Sequence, residues 1–115
     1  MKIYIGYADL DKAVFEVHSY EVEKETDKKY FFKKELLPYL TPLDTYKFIP
    51  KHWLKYANNA NYTGMSLNQN RTQLLFFSTD NDEILNIISY QRDVVAEQVR
   101  YKWTQQHRLN YIEHD

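Results

Sequence analysis

The chain has no cysteine, and only two glycines and three prolines among its 115 residues. Without cysteine there is no disulfide framework, no thiolate metal site and no cysteine nucleophile. Glycine is confined to Gly6 and Gly64. No glycine-rich loop can cradle a phosphate, and no strained glycine elbow presents Ser19, Ser66, Ser78 or Ser89 as a nucleophile. No apolar run approaches the ~20 residues that span a bilayer. The apolar run at Met1–Tyr7 meets Asp9 and Asp11 too early for a signal peptide. These absences predict one cytoplasmic domain, residues 1–115, in a reducing compartment and with no membrane partner. The sequons at Asn61-Tyr62-Thr63 and Asn70-Arg71-Thr72 then read as chance.

An excess of one charge is also missing: the net charge is −1. No global field draws the chain to nucleic acid. The local balance is uneven, with three lysines against seven acids over residues 1–27 and seven lysines against two acids over 28–56. The four histidines, His18, His52, His107 and His114, are scattered and form no His-Glu-x-x-His pattern. A metal centre needs three or four converging ligands, so the reading is no metal and no cofactor. No nucleophile, base and orienting acid assemble from the sequence, so it is also no enzyme.

What the chain has in abundance is aromatic: eleven Tyr, six Phe and two Trp. Ile3, Ile5 and Tyr7 alternate with polar or small residues, the period of a strand. Residues 13–24 are rich in β-formers. Their apolar positions change face, which a bulge near Ser19 would reconcile. After the polar turn at residues 25–28, alternation resumes from Lys29 to Lys33. These segments predict a three-stranded antiparallel meander. Pro38, Pro42 and Pro50 break the next stretch, and Pro50 suits the first turn of a short helix carrying Trp53, Leu54 and Ala57 inward. A further strand is expected over Arg71–Ser78. Ser78, Thr79 and Asp80 are N-cap candidates, with Glu83 three residues after Asp80. Ile84, Ile87, Ile88, Val94, Val95, Val99 and Trp103 recur at helical spacing. A helix over Asp80–Gln106 would be roughly 40 Å long and overhang a small sheet. The fold class is α+β: an antiparallel sheet of three to five strands with one long C-terminal helix on a face.

Two stretches stand out as contact surfaces. The run Lys28-Lys29-Tyr30-Phe31-Phe32-Lys33-Lys34 interleaves aromatics and lysines, and Lys29, Phe31 and Lys33 share a strand face. Glu21, Glu23 and Glu25 alternate on the preceding strand, as a solvated edge that discourages stray pairing would. On the overhanging helix, Tyr101 and Trp103 are residue types common at contact hot spots, and a homodimer through this helix is one partner reading. Glu21, Glu23, Glu25, Lys29, Phe31, Lys33, Tyr101 and Trp103 are the candidate partner-binding residues.

The layout resembles small proteins encoded by phages and prophages of low-GC Gram-positive bacteria. The resemblance rests on the turn Glu23-Lys24-Glu25-Thr26-Asp27-Lys28-Lys29-Tyr30, on Ser66-Leu67-Asn68, and on Phe76-Phe77-Ser78-Thr79 leading into a capped helix. In size and style it is similar to anti-defence proteins, anti-CRISPRs among them. The resemblance implies a protein-binding inhibitor that sterically occludes a host protein or ribonucleoprotein. The alternative from the residues is a nucleic-acid-binding accessory protein using Lys28–Lys34. Acids beside the lysines argue against affinity for free duplex DNA. The two readings part on whether Lys28, Lys29, Lys33, Lys34, Lys47, Lys51 and Lys55 share one face.

Overall fold

A computed structural model describes the backbone of residues 1–42, 46–56 and 64–114, and the side chains of 1–42, 46–54 and 64–98. The described strands are β1 (Lys2–Asp9), β2 (Val14–Glu25), β3 (Lys29–Phe32), β4 (Phe48–Pro50), β5 (Met65–Ser66) and β6 (Gln73–Ser78). One helix, α1 (Asn81–His114), comes after them. The strands form one antiparallel sheet in the order β4-β3-β2-β1-β6-β5.

The expected meander is present as β1 to β3, but the sheet has six strands, not three to five. The excess comes from β4 and β5, three and two residues long. Strands that short carry no period-two signal. Pro50 closes β4 and immediately precedes the expected short helix, which is 3₁₀ over Lys51–Tyr56 and turns Trp53 and Leu54 to the core. Ala57 and the Asn58–Asn61 stop lie outside the described residues.

Strand β2 is the spine. Its Val14–Glu21 portion pairs with Lys2–Asp9 of β1, and its Val22–Glu25 end pairs with β3. The register slips between Val22 and Lys24, which is the bulge, a few residues beyond Ser19. A bulge bends and over-twists its strand, so β3 and β4 curl away from the plane of β1 and β6. On the inner face of this curl Ile3, Ile5, Leu75 and Phe77 meet Tyr30, Phe32 and Ile49. Leu36, Leu40 and Trp53, from the 3₁₀ turn Pro38–Leu40 and its surroundings and from the 3₁₀ segment after β4, close that core. The Trp53 and Phe77 rings are 5.3 Å apart.

On the opposite face α1 lays Ile84, Ile87 and Ile88 over Ala8, Leu74 and Phe76. The N-terminal cap is a relay. The Asp80 N–H donates to Ser78 Oγ (3.0 Å), the Ser78 hydroxyl to Glu83 Oε2 (3.1 Å), and the Asp82 N–H to Asp80 Oδ1 (2.9 Å). Ser78 thus links the Asp80 amide to the Glu83 carboxylate, which reaches the N-cap through this hydroxyl and not directly as in a capping box. Gly6 lets the helix come close: a Cβ there would sit 2.8 Å from Ile88 Cδ1 and 3.3 Å from Ile84 Cγ2.

The helix has 34 residues, about 51 Å at ~1.5 Å each. Its last buried described residue is Gln91, and Val94 and Val95 are only half-buried. The helix packs on β1, β2 and β6. The side chains of Val99, Tyr101 and Trp103 lie outside the described residues. Among the described residues no helix is long and apolar enough to cross a membrane.

Two outcomes check this packing. Ile87→Asp should abolish the cooperative melt, because it drives a carboxylate into an apolar seam at a cost of several kcal/mol, whereas Val95→Asp should leave the domain folded. Gly6→Val should lower the melting temperature by forcing Ile88 and Ile84 aside, an overpacking cost of about 1–3 kcal/mol, with Gly6→Ala in between. Equal melting of wild type and Gly6→Val would show that the helix does not sit on β1 this closely.

Candidate binding surface

The face that α1 covers over β1, β2 and β6 continues outward across β3 and β4. There Phe31 and Phe48 stand opposite each other in register. The Phe32 N–H donates to Lys47 O and the Lys51 N–H to Lys28 O, both at 2.8 Å. In an antiparallel ladder this makes 28/51, 30/49 and 32/47 the hydrogen-bonded pairs and leaves Phe31/Phe48 a narrow pair, whose side chains come closest. The two rings are 5.4 Å apart, tilted by 43°. Lys24 Nζ lies 5.8 Å from the Phe31 centroid and Lys29 Nζ 4.4 Å from the Phe48 centroid. Both rings are half-buried, and both lysines are exposed.

This cluster gathers some of the residues expected from sequence and separates others. Lys29 and Phe31 lie in it, and Lys33 follows β3 on the same alternation. Glu21 is on the helix side of β2, across from Lys2, and Glu23 sits at the bulge, exposed. Glu25 pairs with Tyr30, on the opposite face, and its carboxylate is 3.5 Å from Lys51 Nζ. The three glutamates therefore do not form one face. The bulge interrupts their alternation. Tyr101 and Trp103 belong to α1, but their side chains lie outside the described residues.

Sequence reasoning missed Lys24 and Phe48. Lys24 is brought beside Phe31 by the bulge, and Phe48 by the pairing of its own short strand, β4, with β3. Neither event leaves a local pattern.

The lysines also divide. Lys29 projects with Phe31, while Lys51 Nζ lies 5.1 Å from the Tyr30 ring on the other face. Two clefts mark the ends of β3. One, of about 540 Å³, is lined by Asp27, Lys28, Lys29, Pro50, Lys51 and His52. The other, of about 330 Å³, is lined by Lys2, Ser19, Tyr20, Glu21, Lys33 and Lys34.

The inner face carries a separate polar cluster. The Tyr39 hydroxyl is 3.0 Å from both Glu16 carboxylate oxygens and 3.4 Å from His18 Nε2. The Tyr7 ring packs edge-on against Tyr39 at 5.0 Å. Burial, followed by the hydrogen bond to Glu16 and that carboxylate's charge, pushes Tyr39 up to about 12. Tyr7 is raised by burial first, then by Asp9 and Glu16. A tyrosine that holds its proton this firmly is a poor base at neutral pH. It ties the 3₁₀ turn Pro38–Leu40 to β2, helped by the Leu37 N–H, which donates to the Tyr20 hydroxyl at 3.3 Å. No group of three or more His, Asp or Glu that could hold a metal ion occurs among the described residues.

The segments behind the resemblance have structural work. Thr26 Oγ1 accepts the Lys29 N–H in the β2–β3 turn. Asn68 Oδ1 accepts the Thr72 and Gln73 N–H groups in the β5–β6 turn. Comparison of the chain with protein-family models, with curated proteins and with solved structures finds no match.

The Tyr39 tie predicts a pH dependence. A tyrosine raised from 10.0 to about 12 favours folding fully below pH 10, and that contribution is lost as pH climbs through its folded value. Wild type should lose stability between pH 10 and about 12. Tyr39→Phe should show less of this loss and melt slightly lower at pH 7, by about 1 kcal/mol or less for one part-exposed hydrogen bond. An identical alkaline slope in both proteins would remove Tyr39 from this role.

Proposed function

We propose that the chain is a non-enzymatic binding protein that occludes a host macromolecule, a protein or a ribonucleoprotein, with the β2–β4 part of its sheet. One observation carries the reading: a half-exposed phenylalanine pair, Phe31 and Phe48, is held rigidly in register between Lys24 and Lys29. The inner core does not need these rings, because it is filled by Tyr30, Phe32 and Ile49 from the same two strands. An aromatic pair on a rigid sheet gives contact area at little ordering cost. The inhibitory character of the reading leans on the likeness in layout to anti-defence proteins. Placement in the cytoplasm and the absence of catalysis are parts of the same proposal.

The test is capture of a macromolecular species from host lysate by tagged protein, compared with Phe48→Ser and Lys29→Glu variants that retain the wild-type melt. Capture should fall at least tenfold in both, as expected when an anchor worth over ~1.4 kcal/mol is removed. It should survive Tyr90→Ala, a change at an exposed tyrosine on α1. Capture indifferent to Phe48 and Lys29 would refute the assignment of this face.

A further inference from the structure

Building on that reading, we infer that the β2–β4 face takes a short single strand of nucleic acid, the exposed strand of a ribonucleoprotein or a free oligonucleotide. The inference rests on how three features line up along β3. Lys29 stands on this face at the cleft where β3 starts, whose other lining includes Asp27, His52 and, from the opposite face, Lys51. Phe31 and Phe48 form the middle. Lys2, Lys33 and Lys34 line the cleft at its end. From Lys29 to Lys33 the chain advances four residues, about 14 Å at ~3.4 Å each. Four stacked nucleotides at ~3.4 Å apiece cover the same length. The order is phosphate site, stacking platform, phosphate site, as single-strand binders combine them.

The composition of the face separates this occupant from a protein. Protein interfaces are depleted in lysine, and this platform sets a lysine beside each ring of its aromatic pair. Addition of a peptide strand to the sheet is also disfavoured. Along β4 the outward backbone groups belong to Phe48 and Pro50, because Lys47, Ile49 and Lys51 face β3. Proline has no N–H to offer, so the edge presents a single donor. A duplex is disfavoured for a different reason: its bases are stacked on each other and have no free face for Phe31 or Phe48.

An acid on this face fits the same occupant: Glu21, on the helix side of β2, lines the second cleft. A carboxylate repels a phosphate but accepts a hydrogen bond from the amino group of an unpaired base, as with cytosine N4. A strand whose bases lie over the phenylalanines turns base edges to one side of the platform. Cytosine should therefore be preferred to thymine, which has no amino group.

The experiment measures fluorescence anisotropy of labelled eight-nucleotide oligo-dC, oligo-dT and a mixed duplex of equal length, with the full chain and a salt titration. Oligo-dC should bind more tightly than oligo-dT and at least tenfold more tightly than duplex. Phe48→Leu should weaken oligo-dC on the order of tenfold through weaker stacking. Lys29→Gln should flatten the dependence of log K on log salt by roughly 0.7 for each phosphate no longer neutralised. Should Phe48→Leu fail to melt like wild type, the surface pair Lys24→Gln and Lys29→Gln carries the test through the salt slope alone. Absence of oligo-dC binding, or equal binding of duplex with no response to these variants, overturns the inference. Lysate capture that depends on Phe48 and survives nuclease would then leave the binding reading standing with a protein partner, whereas loss of both oligonucleotide binding and Phe48-dependent capture removes both.

Discussion

The bend in β2 is the constraint on which the rest of the molecule depends. A flat six-stranded sheet would expose one apolar face entirely, since the described residues hold a single long helix to cover the other. The bulge between Val22 and Lys24 solves this by folding the sheet on itself. Tyr30, Phe32 and Ile49 are carried over Ile3, Ile5 and Phe77, and the sheet supplies most of its own second layer. Two 3₁₀ segments, bearing Leu40 and Trp53, plug the opening. The same curl explains why the 3₁₀ turn needs the Tyr39–Glu16 tie. A one-turn element has too few backbone bonds of its own to stay in place.

The helix solves the opposite face, but only in part. Its apolar residues Ile84, Ile87 and Ile88 settle into a shallow groove floored by Gly6 and Ala8. Glycine at the centre of a strand is costly as a β-former. Here it lets helix and sheet approach closely, which recovers dispersion contacts along the seam. Among the described side chains full burial stops at Gln91, with Val94 and Val95 half-buried one turn further on, while the helix backbone continues to His114.

Much of the fold was legible in the sequence because it is written in local periodicity. The meander β1 to β3, the strand β6 and the cap of α1 all arise from alternation, helical spacing and side chains that compete for backbone amides. What was not legible has a shared cause. Strands β4 and β5 are defined by their partners, not by their own few residues. The position of the bulge is set by where Phe32 and Phe31 must land, so a shift of three or four positions from Ser19 could not be read from β2 alone. For the candidate surface, Lys29 and Phe31 were visible as alternating residues. Phe48 was not, since only pairing across an intervening loop places it beside Phe31. Glu25 was grouped with Glu21 and Glu23 because alternation was extended through a bulge that cancels it.

That cancellation shapes the electrostatics of the surface. Unbroken alternation would put Glu21, Glu23 and Glu25 in one row beside Lys29 and Lys33, a row of paired charges with little net field. The extra residue sends Glu25 to the other face, where it meets Lys51, and brings Lys24 onto the aromatic pair. One acid leaves the face and one base joins it. The local balance moves toward positive although the composition of β2 is unchanged. Each phenylalanine ring then has an ammonium beside it, within the ~6 Å over which a ring quadrupole attracts a cation. The curl that closes the core and the charge pattern of the outer face are thus two consequences of one inserted residue.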